Sequence, residues 1–176
     1  MSLYDFAIET FLHALTDLSG VLDKAAAHAA AKGIDPASLV QARLAPDMYP
    51  LATQVSIACR FALDAPIRLT GGTPAEPDGE DHTLDDLKAR IARTIAALQA
   101  FDPAGFDGGV ERQITAPLVD DLELHLSGLA YVRDWALPHF YFHVVTAYDI
   151  LRHHGVDLSK RDFMAHVMPM IRQRPA

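Results

Sequence analysis

Apolar positions along most of the chain recur every three or four residues, which is the period of an amphipathic helix. In the first such segment, residues 3–32, this spacing places a stripe of apolar residues on one helix face: Phe11, Ala14, Leu18, Val21 and Ala25. The same period predicts three more long helices, over residues 47–69, 84–101 and 138–154. Four striped helices predict an all-α four-helix bundle, forming one domain over residues 1–176.

Capping residues indicate where the predicted helices begin and end. Asp47 has the chemistry of an N-cap for the second long helix. Thr83 and Asp86 have the spacing of a capping box at the start of the third. Pro138 suits the first position of the last helix, and Gly155 suits the left-handed residue just beyond its end.

The hydrophobic period changes between the third and last helices. Leucines at positions 122, 124 and 126 alternate with Glu123 and His125, which is typical of a half-buried strand. With residues 110–115, this segment predicts a small β-hairpin inserted between helices three and four. Residues 128–135 are predicted to lead helically into the last helix. Two short helices are predicted as well, over residues 36–44 and 161–168.

Composition limits the classes of function. The 176-residue chain is half apolar and carries a formal net charge of −8. An acidic surface argues against nucleic acid or an anionic membrane as a partner, since both require clustered Lys and Arg. One cysteine, Cys59, cannot form an intramolecular disulfide and fits a reducing compartment. With no apolar run long enough to span a bilayer and no signal-peptide pattern, we expect a soluble, cytoplasmic protein.

Two histidines of the last helix are the main candidates for chemistry. His139 and His143 are four residues apart and share a helix face, a spacing that can place two imidazoles on one metal ion. His143 falls in the inner apolar row, whereas His139 lies nearer the helix start. The alternative interpretation is one core and one rim histidine, each hydrogen-bonded to a neighbour.

Four other residues complete the candidate pocket around His143. Gln54 flanks the apolar stripe of the second helix and requires a partner if buried, which a histidine of another helix would provide. Asp47 supplies a carboxylate, and His28 extends the stripe of the first helix or satisfies its terminal carbonyls. Tyr141 is interpreted as a packing residue with its hydroxyl at the rim.

Three blocks of sequence together resemble a known bacterial family. They are Asp-Lys-Ala at residues 23–25 with His28, Ala-Arg-Leu-Ala-Pro-Asp-Met-Tyr-Pro-Leu at residues 42–51 with Gln54, and Leu-Pro-His-Phe-Tyr-Phe-His at residues 137–143 followed by residues 147–156. The family is the domain of unknown function DUF1993, grouped with the DinB/YfiT-like superfamily. The resemblance implies a four-helix bundle, and commonly a homodimer.

The resemblance also implies a chemistry. Metal-binding members of the superfamily typically use three histidines, one from the second helix and two spaced by four on the last, and some are thiol-dependent transferases or isomerases. His139 and His143 match the last-helix pair, whereas Gln54 is the nearest counterpart of the missing histidine. Glutamine is a poor ligand for zinc or nickel. The implied metal site is therefore degenerate.

Two hypotheses follow from these residues. In the first, the protein is a divalent-metal-dependent enzyme of the thiol-transferase or isomerase type, with zinc or nickel on His139 and His143 and a third ligand from Asp47 or His28. In the alternative, the bundle is metal-free and either binds an unidentified small molecule or serves as a dimeric structural protein. A buried network of His143, Gln54 and Asp47 would then fix its packing or line a pocket.

Overall fold

Four long helices form the framework of the computed structural model, which describes residues 2–76 and 79–174. They are α1 (Thr10–Lys32), α3 (Leu51–Leu69), α4 (Leu84–Gln99) and α6 (Leu137–His153). In the ring that they form, α3 packs between α4 and α6, and α1 closes the ring against α4 and α6. The predicted four-helix bundle is confirmed.

Short elements connect and cover these helices. A π-helical turn, Asp5–Glu9, precedes α1, and α2 (Pro36–Val40) follows it. The antiparallel hairpin of β1 (Gln113–Pro117) and β2 (Glu123–Ser127) is inserted between α4 and the last long helix, as predicted. Beyond α6, α7 (Lys160–Phe163) and a 3₁₀ turn, Ala165–Met170, lie against α1.

Helices α1, α3 and α6 end in the same way, with a glycine in the left-handed region. Gly33, Gly71 and Gly155 have φ values of 64°, 87° and 85°. After α3, the N–H of Gly71 donates to the carbonyl of Arg68 at 3.0 Å, and that of Gly72 donates to Ile67 at 2.8 Å. This paired arrangement satisfies carbonyls that the helix itself leaves free. The predicted role of Gly155 is confirmed.

The prediction that Asp47 caps the second long helix is wrong. Helix α3 begins at Leu51, and Asp47 lies exposed in a turn in which the N–H of Met48 bonds to the carbonyl of Ala45 at 3.0 Å. Pro50 is extended, with ψ of 167°, and a residue that precedes a proline is sterically disfavoured in the helical region. The helix therefore starts only after Pro50.

The last long helix begins earlier than its proline suggests. The hydroxyl of Ser127 accepts the N–H of Ala130 at 3.5 Å, and α5 (Gly128–Ala130), a π-helical segment (Tyr131–Ala136) and α6 follow without a break. Pro138 therefore lies inside a continuous helix. Because a proline ring collides with the carbonyl four residues before it, the wider π turn ahead of Pro138 accommodates the ring.

Two further boundaries differ from the predictions. The helix predicted over residues 36–44 ends at Val40, and the one predicted to reach residue 101 ends at Gln99.

At the start of α4, the N–H of Thr83 donates to Asp86 and the N–H of Asp86 donates to the hydroxyl of Thr83, each at 3.0 Å. The predicted capping box is thus present.

Large side chains from all four helices fill the core. Phe11 of α1 meets Phe140 of α6 edge to face, with ring centroids 4.9 Å apart. Other fully buried side chains include Leu15, Leu22, Leu51, Leu69, Leu87, Ile91 and Leu98. Within the described residues, no helix combines the length and the apolar character needed to cross a bilayer.

Candidate functional site

A direct hydrogen bond joins a polar side chain of α3 to a polar side chain of α6. Nδ1 of His143 and Oε1 of Gln54 are 2.7 Å apart. His143 is 8% exposed and Gln54 is 1% exposed. A bond between polar groups at this depth satisfies atoms that would otherwise be buried without partners. The histidine from another helix that Gln54 requires is therefore His143.

A backbone carbonyl fixes the orientation of Gln54. Its Nε2 donates to the carbonyl of Tyr49 at 3.1 Å. Since a carbonyl only accepts, the amide nitrogen of Gln54 must face Tyr49 and its oxygen must face His143. Nδ1 of His143 then carries the proton, which leaves Nε2 with a free lone pair. We call the series of contacts from His143 through Gln54 to Tyr49 the His143 relay.

Both histidines of the pair favour the neutral form. Burial lowers the pKa of His143 to about 4, and the nearby His139 contributes to this shift. Burial also lowers the pKa of His139 below its ordinary value. At neutral pH the two imidazoles therefore act as acceptors or ligands rather than as cations.

Aromatic rings hold His139 in place. Its ring stacks on the ring of Phe61 with centroids 4.6 Å apart, and its centroid is 4.3 Å from that of Trp135. The ring of Phe61 also lies parallel to that of His143, with centroids 6.3 Å apart. Phe61 thus lies against both imidazoles and packs α3 onto this part of α6.

The geometry does not allow Nδ1 of His143 and Oε1 of Gln54 to bind the same metal ion. Two donor atoms that share one ion at about 2.1 Å each lie about 3 Å apart or more. The 2.7 Å between Nδ1 of His143 and Oε1 of Gln54 is shorter than that. Among the described residues, no group of three or more His, Cys, Asp or Glu side chains could hold a metal ion. His139 and His143 remain as a pair of candidate ligands.

The structure does not gather the other three candidates around His143. Asp47 is exposed, and over residues 2–76 and 79–174 it makes no hydrogen bond to Gln54 or His143. His28 lies beside Gly155, with Cε1 3.8 Å from the point where a Cβ of that glycine would stand. That places His28 near the far end of α6. Tyr141 is 37% exposed, and its pKa is raised by burial first and by the carboxylate of Asp17 second.

A second polar cluster joins α1 to the C-terminal 3₁₀ turn. Asp17 is 5% exposed and accepts two bonds from His166, one from its N–H at 3.0 Å and one from Nδ1 at 2.5 Å. His13 stacks on His166 with centroids 4.8 Å apart. The sequence pattern did not predict this cluster. The sequence feature that could have indicated this cluster is the acidic residue Asp17, which shares a helix face with Ala14 and Val21.

A cleft of about 570 Å³ opens beside the His143 relay. The segment that enters α3 forms one wall of it, including Tyr49, whose carbonyl accepts from Gln54. The polar residues that line the cleft are Gln41, Arg43, Thr53, Ser56, Glu80, Asp81 and His82. This lining offers both donors and acceptors to a bound molecule.

Comparison with known proteins gives a consistent assignment. The family model described as "Domain of unknown function (DUF1993)" matches residues 3–164. A DinB family member protein from Shewanella denitrificans is 38% identical, with 92% of this chain and 91% of that chain covered and a TM-score of 0.84. No curated protein matches the sequence. With its DinB-like bundle and a family match over nearly its whole length, the chain belongs to the DUF1993 family.

Proposed function

We propose that this protein is a metal-free, small-molecule-binding helical bundle, with its ligand in the cleft beside Tyr49. One observation carries the proposal. The His143 relay connects the buried side of α6 to the segment that walls the cleft. Gln54 thereby uses its amide to hold that wall in place, and is not left free to coordinate an ion.

The size of the cleft supports this function. Small-molecule sites typically enclose about 300–1,000 Å³. Its lining is mostly polar, and Pro50 and Ala52 add a small apolar surface beside Arg43, Thr53 and Asp81. A ligand that carries both donor and acceptor groups suits such a lining. A cytoplasmic setting is part of the proposal and is supported by the single cysteine, Cys59, which is buried.

Replacement of His143 with Ala, combined with elemental mass spectrometry, tests the metal-free role. We expect no stoichiometric metal in either protein. We also expect the variant to unfold at lower urea concentration than the parent, by the same amount with and without chelator. A variant as stable as the parent, or a stability difference that chelator abolishes, would contradict the proposal.

Ligand-observed NMR with a fragment library tests the cleft itself. Thr53→Trp adds bulk to a residue of the lining, and should abolish binding of fragments that bind the parent. Leu129→Trp changes a partly exposed residue away from the cleft and should leave binding unchanged. If the same fragments bind all three proteins equally, the cleft is not the ligand site.

A second candidate function is a degenerate metalloenzyme, and the tautomer of His143 favours it. Metal-ligating histidines usually donate their other ring N–H to an oxygen acceptor, and Gln54 provides one. His139 and His143 would hold the zinc or nickel ion through their free nitrogens. When bound, it would activate water or a thiol for the transferase or isomerase chemistry of the superfamily. Stoichiometric metal in the parent, lost in His143→Ala, would select this function.

We further propose that the protein forms a homodimer through the outward face of α6. Tyr141, Phe142 and Val145 are exposed there, Phe142 to 57%. Together with the resemblance to commonly dimeric bundles, this apolar face supports a second copy of the chain as the partner.

A further inference from the structure

A second cleft, of about 360 Å³, lies between the end of α3 and strand β1, apart from the His143 relay. Two guanidinium groups, Arg68 and Arg112, line it together with Thr73, Gln113 and Thr115. None of its described lining residues carries a carboxylate. In a chain of net charge −8, a cleft lined with two cations and no acid is unusual.

Backbone contacts hold both arginines in place without using all their donors. Nε of Arg112 donates to the carbonyl of Leu69 at 2.8 Å, and Nη1 of Arg68 donates to that of Thr115 at 3.1 Å. A guanidinium has five N–H donors, so this bond leaves most donors of Arg112 for other acceptors, whereas Arg68 also bonds to the side chain of Tyr131. Nε of Arg68 is buried and has no hydrogen-bond partner in the described part of the chain.

Gly71 allows the guanidinium of Arg112 to lie across the loop. A Cβ at position 71 would stand 2.9 Å from Nη1 of Arg112. The N–H groups of Gly71 and Gly72 occupy the carbonyls of Arg68 and Ile67, and the carbonyl of Leu69 accepts from Nε of Arg112. These three carbonyls at the end of α3 therefore already have partners, and the other N–H groups of Arg112 are left for another acceptor.

The positive charge in this cleft exceeds the nearby negative charge. Asp64, the carboxylate close to Arg68, also pairs with Arg60 at 3.5 Å. Arg112 forms no ion pair within residues 2–76 and 79–174. Asp64 is thus shared between Arg60 and Arg68, and no ion pair among the described residues neutralises Arg112, which leaves an attraction for an anion in the cleft.

We propose that this cleft binds a small oxyanion, namely a phosphate group or a carboxylate, between the forked guanidinium groups of Arg68 and Arg112. The forks suit an acceptor with two or more oxygens. The structural alternative is that both arginines only secure the end of α3 and the hairpin. That role accounts for one backbone bond from each arginine and for the bond of Arg68 to Tyr131, but it gives no acceptor for the remaining N–H donors of Arg112.

A ¹H–¹⁵N NMR titration of the intact protein with sodium phosphate, at ionic strength held constant with sodium chloride, tests the proposal. We expect saturable shifts of the Gly71, Gly72 and Thr73 amides. Arg112→Gln should weaken binding at least tenfold. Arg172→Gln is the matched control, since Arg172 also donates to a backbone carbonyl, that of Ile171, but lies outside both clefts. Its affinity should stay within twofold of the parent.

A parallel titration with succinate distinguishes a phosphate site from a carboxylate site, and saturation by either supports the proposal. Thr73→Glu places a carboxylate at the cleft, keeps both arginines, and should abolish binding even if Arg112→Gln fails to fold. The proposal is overturned if neither anion saturates the parent, if Arg172→Gln weakens binding as much as Arg112→Gln, or if Thr73→Glu binds normally.

Discussion

At the scale of single residues, the hydrogen bond between His143 and Gln54 shows how a polar pair can stabilise an apolar core. Neither side chain reaches bulk water freely, so Nδ1 of His143 and Oε1 of Gln54 depend on each other for a partner. The net gain from such a bond is small, whereas the cost of removing one partner is large. The pair therefore specifies how α3 and α6 align, more than it adds to total stability.

Replacement of Gln54 with Leu should destabilise the protein by about 1–3 kcal/mol, because Nδ1 of His143 would lose its partner in the core. Urea unfolding followed by circular dichroism measures this difference. Gln99→Leu is the control: Gln99 is exposed at the end of α4, and its replacement should change stability by less than about 0.5 kcal/mol. Equal effects from the two substitutions would show that the bond is dispensable.

The lowered pKa of His143 predicts sensitivity to acid. In the unfolded chain this imidazole binds a proton below its ordinary pKa of about 6.5, but in the folded protein only below about 4. Protons therefore favour unfolding between these values, and stability falls as pH drops from about 6.5 to about 4. This histidine contributes at most about 3 kcal/mol to that loss.

His143→Gln removes the titrating group while retaining a hydrogen-bonding side chain. Between pH 7 and pH 4.5 the variant should lose less unfolding free energy in urea than the parent. The other ionisable groups are common to both proteins, so the difference between them isolates His143. Parallel losses in parent and variant would mean that His143 titrates normally in the folded state.

The pairing of His143 with Gln54 could be predicted from the sequence, whereas that of Asp17 with His166 could not. Gln54 and His143 each lie in or beside a regular apolar stripe, so both could be expected inside the bundle. Asp17 and His166 are 149 residues apart, and His166 belongs to a short 3₁₀ turn with no stripe of its own. The contact between Asp17 and His166 becomes visible only in the folded structure, where the C-terminal 3₁₀ turn packs against α1.

At the scale of elements, the conformation of glycine makes a paired prediction. Gly20 lies inside α1, whereas Gly33 ends it with φ of 64°, and a Cβ added at either position would meet no other atom within 4 Å. Gly20→Ala should stabilise the protein by about 0.5–1 kcal/mol, since alanine favours a helix interior. Gly33→Ala should destabilise it by about 1 kcal/mol because of left-handed strain.

Thermal unfolding of the two glycine variants compares the same chemical change in two backbone conformations. Opposite shifts of the midpoint are expected. Shifts of the same sign would indicate that the space around the added methyl group, rather than the backbone angle φ, determines the effect of alanine on stability.

Proline explains two of the helix boundaries that were predicted wrongly. Asp47 has the chemistry of a cap, but Pro50 delays the helix until Leu51. Pro138 has the chemistry of a first helical residue, but a π turn carries the helix through it. Caps and prolines are local signals with more than one structural outcome. Tertiary packing selects among these outcomes, so periodicity predicted the existence of the helices better than their ends.

At the scale of the whole molecule, the ring of helices determines which surface stays open. α6 packs against α3 on one side and α1 on the other, which turns Phe142 and Val145 outward. The four stripes predicted a bundle because each helix must bury one face. The order of helices around the ring does not follow from any single stripe. The open face could therefore be identified only from the assembled structure.

This open face makes a prediction about assembly. If two copies associate through α6, Phe142→Glu introduces two buried charges into the dimer interface and should convert the protein to monomer. Val119→Glu is the control, because Val119 is 77% exposed at the hairpin and lies away from α6. Size-exclusion chromatography with light scattering should give twice the chain mass for the parent and for Val119→Glu, and the single chain mass for Phe142→Glu. A parent that is monomeric at every concentration would disprove the dimer, and loss of dimer in Val119→Glu alone would move the interface to the hairpin.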